Sequence, residues 1–475
     1  MSSIKIITVA AVLTSFLVTG CNENSTTAPP PDTKNGFQTE AVAKIFAENC
    51  ATSGCHISTS PAGSLSISNL SDLLRGSNNR SGANIPNYGG ESIIPFRLEE
   101  SLLYQILLRK VTPTSPHDLT SLTQAEIDTV KNWLMNGARD SHNNLPFQNP
   151  AYRVYVCNQN SDKISVIDGD LKVVSAIIDV DFIPTTDSPH MVKEAGDYLY
   201  ATLIGSGKFL KIRKSDNTIV GEVNGITKAG MIQIHPNGLK AYVSRSSTSQ
   251  PDFDQIVVVD IVNMQKIKDI LLPAPGVPHG LAITPDGTKL YVGNLTLDRI
   301  SIINAETDEY QDDIILMPQT EPMQAGVSPD GKYLYISSRG FAQLLVYDTE
   351  TDTLITQVPV SGMPMHITFT SDGNKIYVGS MMMHNVNVIE KNGNTWTKTK
   401  EITHPGFSML HGCDITADDR YVYVSSRNTN NLFQPYFVVE NEGPPGTIGI
   451  IDTQTDQVVK LIEIEEFGAG LVVEK

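Results

Sequence analysis

Residues 49–56 read NCATSGCH, so two thiols and an imidazole crowd one short stretch of a chain with only five cysteines and ten histidines. Three chemistries suit the pattern Cys50-x4-Cys55-His56. Two thiols can add to the vinyl groups of a haem while the adjacent imidazole reaches the iron, which is the logic of C-x-x-C-H with a longer, bulged loop. The same thiols can close a disulfide in an oxidising compartment. A zinc knuckle is the poorer fit, because no second Cys/His pair lies nearby.

The surrounding sequence must hold that cluster. TEAVAKIFAENC carries apolar residues at 42, 45 and 46, which predicts a short helix leading into the cysteines. LEESLLYQILLRK, 98–110, predicts a second amphipathic helix. Thr123 and Glu126 form a capping box that opens TQAEIDTVKNWLMNGA, with Ile127, Val130 and Leu134 on one face and Gly137 as the stop. Three helices around one Cys/His cluster have little core of their own, and a bound cofactor would supply buried surface.

In order and spacing, NCATSGCH, SPAGSLSIS, SIIPFRLEESLLYQIL and LTQAEIDTVKNWLMNGA resemble the Planctomycete-type cytochrome c domains. The resemblance covers nearly all of 38–146. It implies a small all-α cytochrome c-like domain with haem c attached at Cys50 and Cys55 and with His56 on the iron. That family places a Met just before the last helix as sixth ligand. This chain has no Met between 56 and 134 and reads SPHDL at that place, so His117 is the expected sixth ligand. Bis-histidine ligation lowers the potential, since Met ligation raises it.

Repeats govern the rest. Tyr155, Tyr200, Tyr242, Tyr291, Tyr335, Tyr377 and Tyr423 each sit in a short β run and recur every 42–49 residues. Tight turns such as HPNG, TPDG, SPDG and TSDG precede most of them, and polar turns such as DTETDT follow. This spacing predicts four-stranded blades. The pattern resembles the YVTN family of β-propellers, which implies an all-β seven-bladed propeller over 150–475. The segment begins at Tyr152 without an inner strand, and FGAGLVVEK at the end aligns with inner strands. The C-terminus should therefore complete the first blade and remove a free edge.

Aligning the inner strands on their turns places His190, His279, Met323, Met365 and His411 at one mouth of the channel, with His366 beside Met365. Imidazole with thioether favours copper or haem iron, so the mouth is a candidate metal or second-haem site. The loop after each tyrosine strand should open on the same face. It carries Arg245, Arg339 and Arg427, which suit an anionic ligand. In the last blade this loop, RNTNNLFQPYFVVENEGPPG, is long enough for a lid.

The N-terminus bears on compartment. A short apolar run, IITVAAVLTSFLVTG, looks like a signal-peptide core over 1–20. It ends in VTGC, which resembles the bacterial lipobox and implies lipidation of Cys21, with Asn22 favouring the outer membrane. Residues 21–37 read as a proline-rich tether. Net charge is −17 with no basic stretch, which argues against nucleic acid. The function expected is an extracytoplasmic redox lipoprotein that works with an electron-transfer partner. A surface binding module for protein or glycan, without catalysis, is the alternative, and a lactone-opening hydrolase is a third.

Overall fold

The seven tyrosine runs fold as second strands of seven four-stranded antiparallel sheets arranged as a β-propeller. The computed structural model describes residues 33–57, 59–81, 84–115, 117, 122–246 and 254–475. The signal-like run, Cys21 and most of the tether lie outside these residues. Lys34–Lys475 cluster as one unit. Among the described residues no helix is long and apolar enough to cross a membrane.

Blade one is built from both ends of the propeller segment. Gly468–Val473 forms its inner strand against Arg153–Asn158, followed by Lys163–Asp168 and Val173–Asp179. The expected closure is therefore observed. Blades two to seven begin with inner strands Pro189–Ala195, Ala229–Ile234, Pro278–Ile283, Pro322–Val327, Pro364–Phe369 and Leu410–Ile415. Second strands are buried on both faces, as in Val154–Cys157, which explains their β-branched runs. Outer strands such as Thr218–Val223 alternate between exposed and half-buried. In the TPDG turn, Gly287 takes φ +75° while the Asp286 carboxylate accepts the Thr288 amide at 3.0 Å.

A repeated staple joins neighbouring blades. Tyr291 and Lys289 of blade four both donate to the Asp352 carboxylate in the outer turn of blade five, at 2.6 and 2.7 Å. Tyr377 and Lys375 of blade six do the same to Asp456 of blade seven, at 2.8 and 2.7 Å. Tyr242 and Lys240 reach Asp308 in the same way. The Lys-x-Tyr of one repeat and the turn aspartate of the next are thus one motif, split between blades.

The N-terminal segment contains four short helices among the described residues: α1 (Glu40–Asn49), α2 (Leu70–Leu74), α3 (Leu102–Leu107) and α4 (Gln124–Met135). Long irregular links join them. The capping box at Thr123–Glu126 forms as expected. The helix expected over 98–110 shrinks to α3. The Gln105 side chain donates to the Leu98 and Glu99 carbonyls before it, and Arg109 sits at φ +60° after it. Phe37, Phe46 and Trp133 pack with ring centroids 5.0–5.8 Å apart at the centre of the segment's own core.

This segment docks on the outer corner of blades seven and one. Tyr88–Gly89 adds a parallel strand to Gln457–Glu466. A buried Arg80–Glu463 pair (2.9 Å), Arg97–Asp179 (2.6 Å) and Lys163–Glu100 (2.8 Å) pin it there.

Replacing Asp352 with Ala leaves the Tyr291 hydroxyl and the Lys289 ammonium short of a partner. It should cost ~1–3 kcal/mol in urea unfolding. Glu350→Ala, two positions away and exposed, should stay within about 0.5 kcal/mol. Equal effects would deny the staple its role.

Candidate functional site

Two sites emerge, one in the helical segment and one at the channel mouth. In the first, α1 delivers Cys50, whose amide donates to the Phe46 carbonyl at 2.9 Å. The chain then turns tightly. Gly54 takes φ +83°, the Cys55 amide bonds the Thr52 carbonyl (3.0 Å), and the His56 amide bonds the Cys50 carbonyl (3.2 Å). The longer inter-cysteine loop therefore bulges, and both thiols are free. Burial, then Cys55, pushes the Cys50 thiol up to about 11.

His56 donates from Nδ1 to the Leu65 carbonyl at 2.9 Å, which fixes the tautomer and leaves Nε2 as the lone-pair nitrogen. The His117 ring faces it with a centroid separation of 6.0 Å and an interplanar angle of 1°. Burial, and then His56, keeps His117 below its ordinary pKa. One residue that sequence reasoning passed over is Phe437, whose ring centroid lies 5.6 Å from that of His117. It comes from the long blade-seven loop.

That loop is not a lid over the mouth. Val438–Val439 pairs with Val111–Thr112 of the helical segment, the Tyr436 amide donates to the Tyr88 hydroxyl, and Phe433 packs on Tyr88. Backbone pairing to another element commits the loop to the helical segment. Behind Phe437 lies a cavity of about 260 Å³ walled by Arg80, Lys163, Glu91, Glu442 and Glu465.

At the mouth, three aligned inner-strand histidines and His366, one place along its strand, come together. Ring centroids of His190–His279, His190–His411 and His366–His411 are 5.9, 5.7 and 4.8 Å apart. All four histidines are buried. His279 donates from Nδ1 to the Met323 carbonyl at 3.0 Å, and His190 Nδ1 meets Gln159 Oε1 at 3.3 Å. His190 Nε2, His366 Nε2 and both nitrogens of His411 have no partner. Such orphaned buried nitrogens are uncommon in a finished core. Burial is the chief cause that holds all four imidazoles neutral, His279 down to about 4 and His366 to about 3.

Among the described residues no three of these imidazoles bring nitrogens within 4.8 Å of one another. The mouth is therefore not a ready cage for one ion. Met323 and Met365 pack with Met381 in a separate apolar cluster beside it.

The arginines part company. Arg245 pairs with Asp269 on the outer strand of its own blade at 3.3 Å, which removes it from the expected anion contacts. Arg339 touches Met323 Sδ at 3.8 Å and Glu321 at 3.9 Å. Arg427 lies over the Phe467 ring at 4.6 Å, and among the described residues no carboxylate pairs with it. Burial, and then Arg339, lowers its pKa to about 10. Neutral imidazoles beside two guanidinium groups, one of them with only a distant carboxylate, give the mouth a positive potential.

A family model described as "Lactonase, 7-bladed beta-propeller" matches residues 317–406. No curated protein matches the chain. Solved structures of similar fold include a functionally unknown protein from Desulfotomaculum acetoxidans DSM 771, 14% identical, covering 68% of this chain and 99% of that one with a TM-score of 0.56. A protein from Lactobacillus plantarum is 15% identical over 68% and 100%, with a TM-score of 0.54. Kuenenia stuttgartiensis hydrazine synthase is 16% identical over 64% and 92%, with a TM-score of 0.51. These likenesses define the class: a seven-bladed β-propeller, here carrying a helical segment on its flank.

The mouth predicts a pH dependence. Free histidine titrates near pH ~6.5, whereas His279 in the fold titrates at about 4. Between those values the unfolded chain takes up protons that the folded mouth refuses, so stability falls as pH falls. The decline in Tm from pH 7 to pH 4 should be shallower in His279→Gln than in the parent. An identical slope would contradict neutral burial.

Proposed function

We propose that the chain is an extracytoplasmic electron-transfer protein that carries haem c on the flank of its propeller. The mouth then receives a small anionic substrate. The observation that carries this reading is the pair His56 and His117. A metal–imidazole bond of about 2 Å on each side, with ring centres ~1.2 Å beyond each nitrogen, sets centroids ~6.4 Å apart, and the observed separation is 6.0 Å with parallel rings. The donor set also fits, with two free thiols directly before the first imidazole.

Cys50 and Cys55 would hold the group covalently. His56 and His117 would hold its iron, and the Leu65 carbonyl would orient the first of them. Bound there, haem c supplies one-electron transfer at a potential lowered by the second imidazole. Phe437 covers His117 and limits water on that side. At the mouth, Arg427 and Arg339 balance an anion's charge, and the one N–H of neutral His411 is free to donate to it. One loop begins at Arg427 and carries Phe437, so it joins the two sites. The lipobox-like VTGC and the polar tether support a lipid anchor at Cys21 in the outer envelope, within reach of an electron-transfer partner protein.

Lactone opening, the activity in the name of the family model over 317–406, gains nothing from the mouth. Glu321 pairs with Arg339, and Asp414, further along the blade-seven inner strand, accepts the Val473 amide and pairs with Lys475.

Full-length protein from a host that matures c-type cytochromes should absorb in the visible as a low-spin haem. His117→Leu should convert the spectrum to high-spin and raise the potential. A spectrum indifferent to His117 would refute the second ligand, and a colourless protein would refute the reading as a whole.

A further inference from the structure

The loop that leads into His190 holds a second, unrelated cluster. Asp162 lies in the turn between the second and third strands of blade one, and Asp181 and Asp187 lie in the loop from blade one to blade two. One oxygen from each lies within 4.8 Å of the other two. Asp187 is fully buried. Its Oδ2 accepts the Phe182 and Ile183 amides at 2.7 and 3.0 Å, while Oδ1 has no partner. A buried carboxylate oxygen left bare is costly unless a cation meets it. The nearby ammonium groups are committed elsewhere, Lys163 to Glu100 and Glu465 and Lys208 to Glu222 and Asn224. The Ser161 hydroxyl, next in sequence to Asp162, is likewise buried without a partner.

Blade four shows what the ordinary version of this loop needs. There Asp298 occupies the place of Asp162 and accepts the Gln319 and Glu321 amides at 2.8 and 3.2 Å, and among the described residues it belongs to no three-carboxylate group. Asp162 already meets that structural need by accepting the Ser188 amide at 2.7 Å. The loop after blade one is longer, and it brings in the exposed Asp181 and the buried Asp187, whose Oδ2 closes the loop while Oδ1 is left over.

We propose that Asp162, Asp181 and Asp187 form a calcium site that ties the blade-one turn to the loop entering the mouth. All three ligands are hard oxygens, which suits Ca²⁺ rather than a thiolate- or imidazole-seeking metal. Three oxygens within 4.8 Å of one another have a common centre no more than about 2.8 Å from each, so a small inward shift of the side chains brings all three to the ~2.3–2.6 Å of calcium–oxygen bonds. An ion there offsets the mutual repulsion of three carboxylates held within 4.8 Å of one another. It also steadies the segment that ends at His190, whose Nδ1 contacts Gln159 in the same turn as Asp162. This site stands or falls independently of haem.

Full-length protein, stripped with EDTA and desalted, should retain one Ca²⁺ per chain in equilibrium dialysis against millimolar CaCl₂, and its Tm should rise with CaCl₂. Asp181→Asn changes an exposed residue. It should leave the Tm of the stripped protein unchanged while weakening Ca²⁺ retention at least tenfold. Asp187→Asn should abolish retention. No retained calcium at 5 mM, or retention by Asp181→Asn equal to that of the parent, would overturn the site.

Discussion

Everything in this molecule depends on the pairing of Gly468–Val473 with Arg153–Asn158. That ladder closes a ring whose first blade would otherwise lack its inner strand. Ala469, Leu471, Val472 and Val473 are buried by it. Each larger side chain contributes ~1.5–3 kcal/mol on burial, against about 5–15 kcal/mol for a whole domain. Closure also sets blade seven beside blade one. Only then does the corner exist on which Arg80 meets Glu463 and Arg97 meets Asp179. The helical segment thus rests on a surface made jointly by the two ends of the propeller.

Closure also fixes the mouth. Seven inner strands enter from one face, so corresponding positions converge around the axis whatever residues occupy them. A ring built only for packing would use apolar groups there. This one buries imidazoles with orphaned nitrogens and a guanidinium without a carboxylate, and such costs concentrate at functional sites. The blade-seven loop couples this polar centre to the flank, because Arg427 stands at its root and Phe437 against His117.

The repeat architecture was legible because a period of 42–49 residues, anchored on tyrosine and Asp-Gly turns, leaves few alternatives. The histidine cluster was legible for the same reason, since alignment on turns transfers directly to positions around an axis. His366, one place off the aligned column, still joins it through His411. What escaped prediction depends on contacts between distant segments. Arg245 looked like its counterparts until Asp269, on the outer strand, claimed it. The long loop after Arg427 read as a lid, because nothing in it reveals that Val438–Val439 would pair with Val111–Thr112. The helix expected over 98–110 starts late, where Gln105 bonds the Leu98 and Glu99 carbonyls, and stops short of Arg109 at φ +60°. Asp162, Asp181 and Asp187 went unremarked, being 25 positions apart end to end and ordinary in turns.

Covalent attachment at Cys50 and Cys55 is the claim to test first. Trypsin releases residues 45–75 as one peptide holding both cysteines and His56. Mass spectrometry of that peptide, from protein made in a host that matures c-type cytochromes, should give the peptide plus one haem with neither thiol open to alkylation. The bare peptide with two alkylatable thiols, or with an internal disulfide, would contradict the haem assignment.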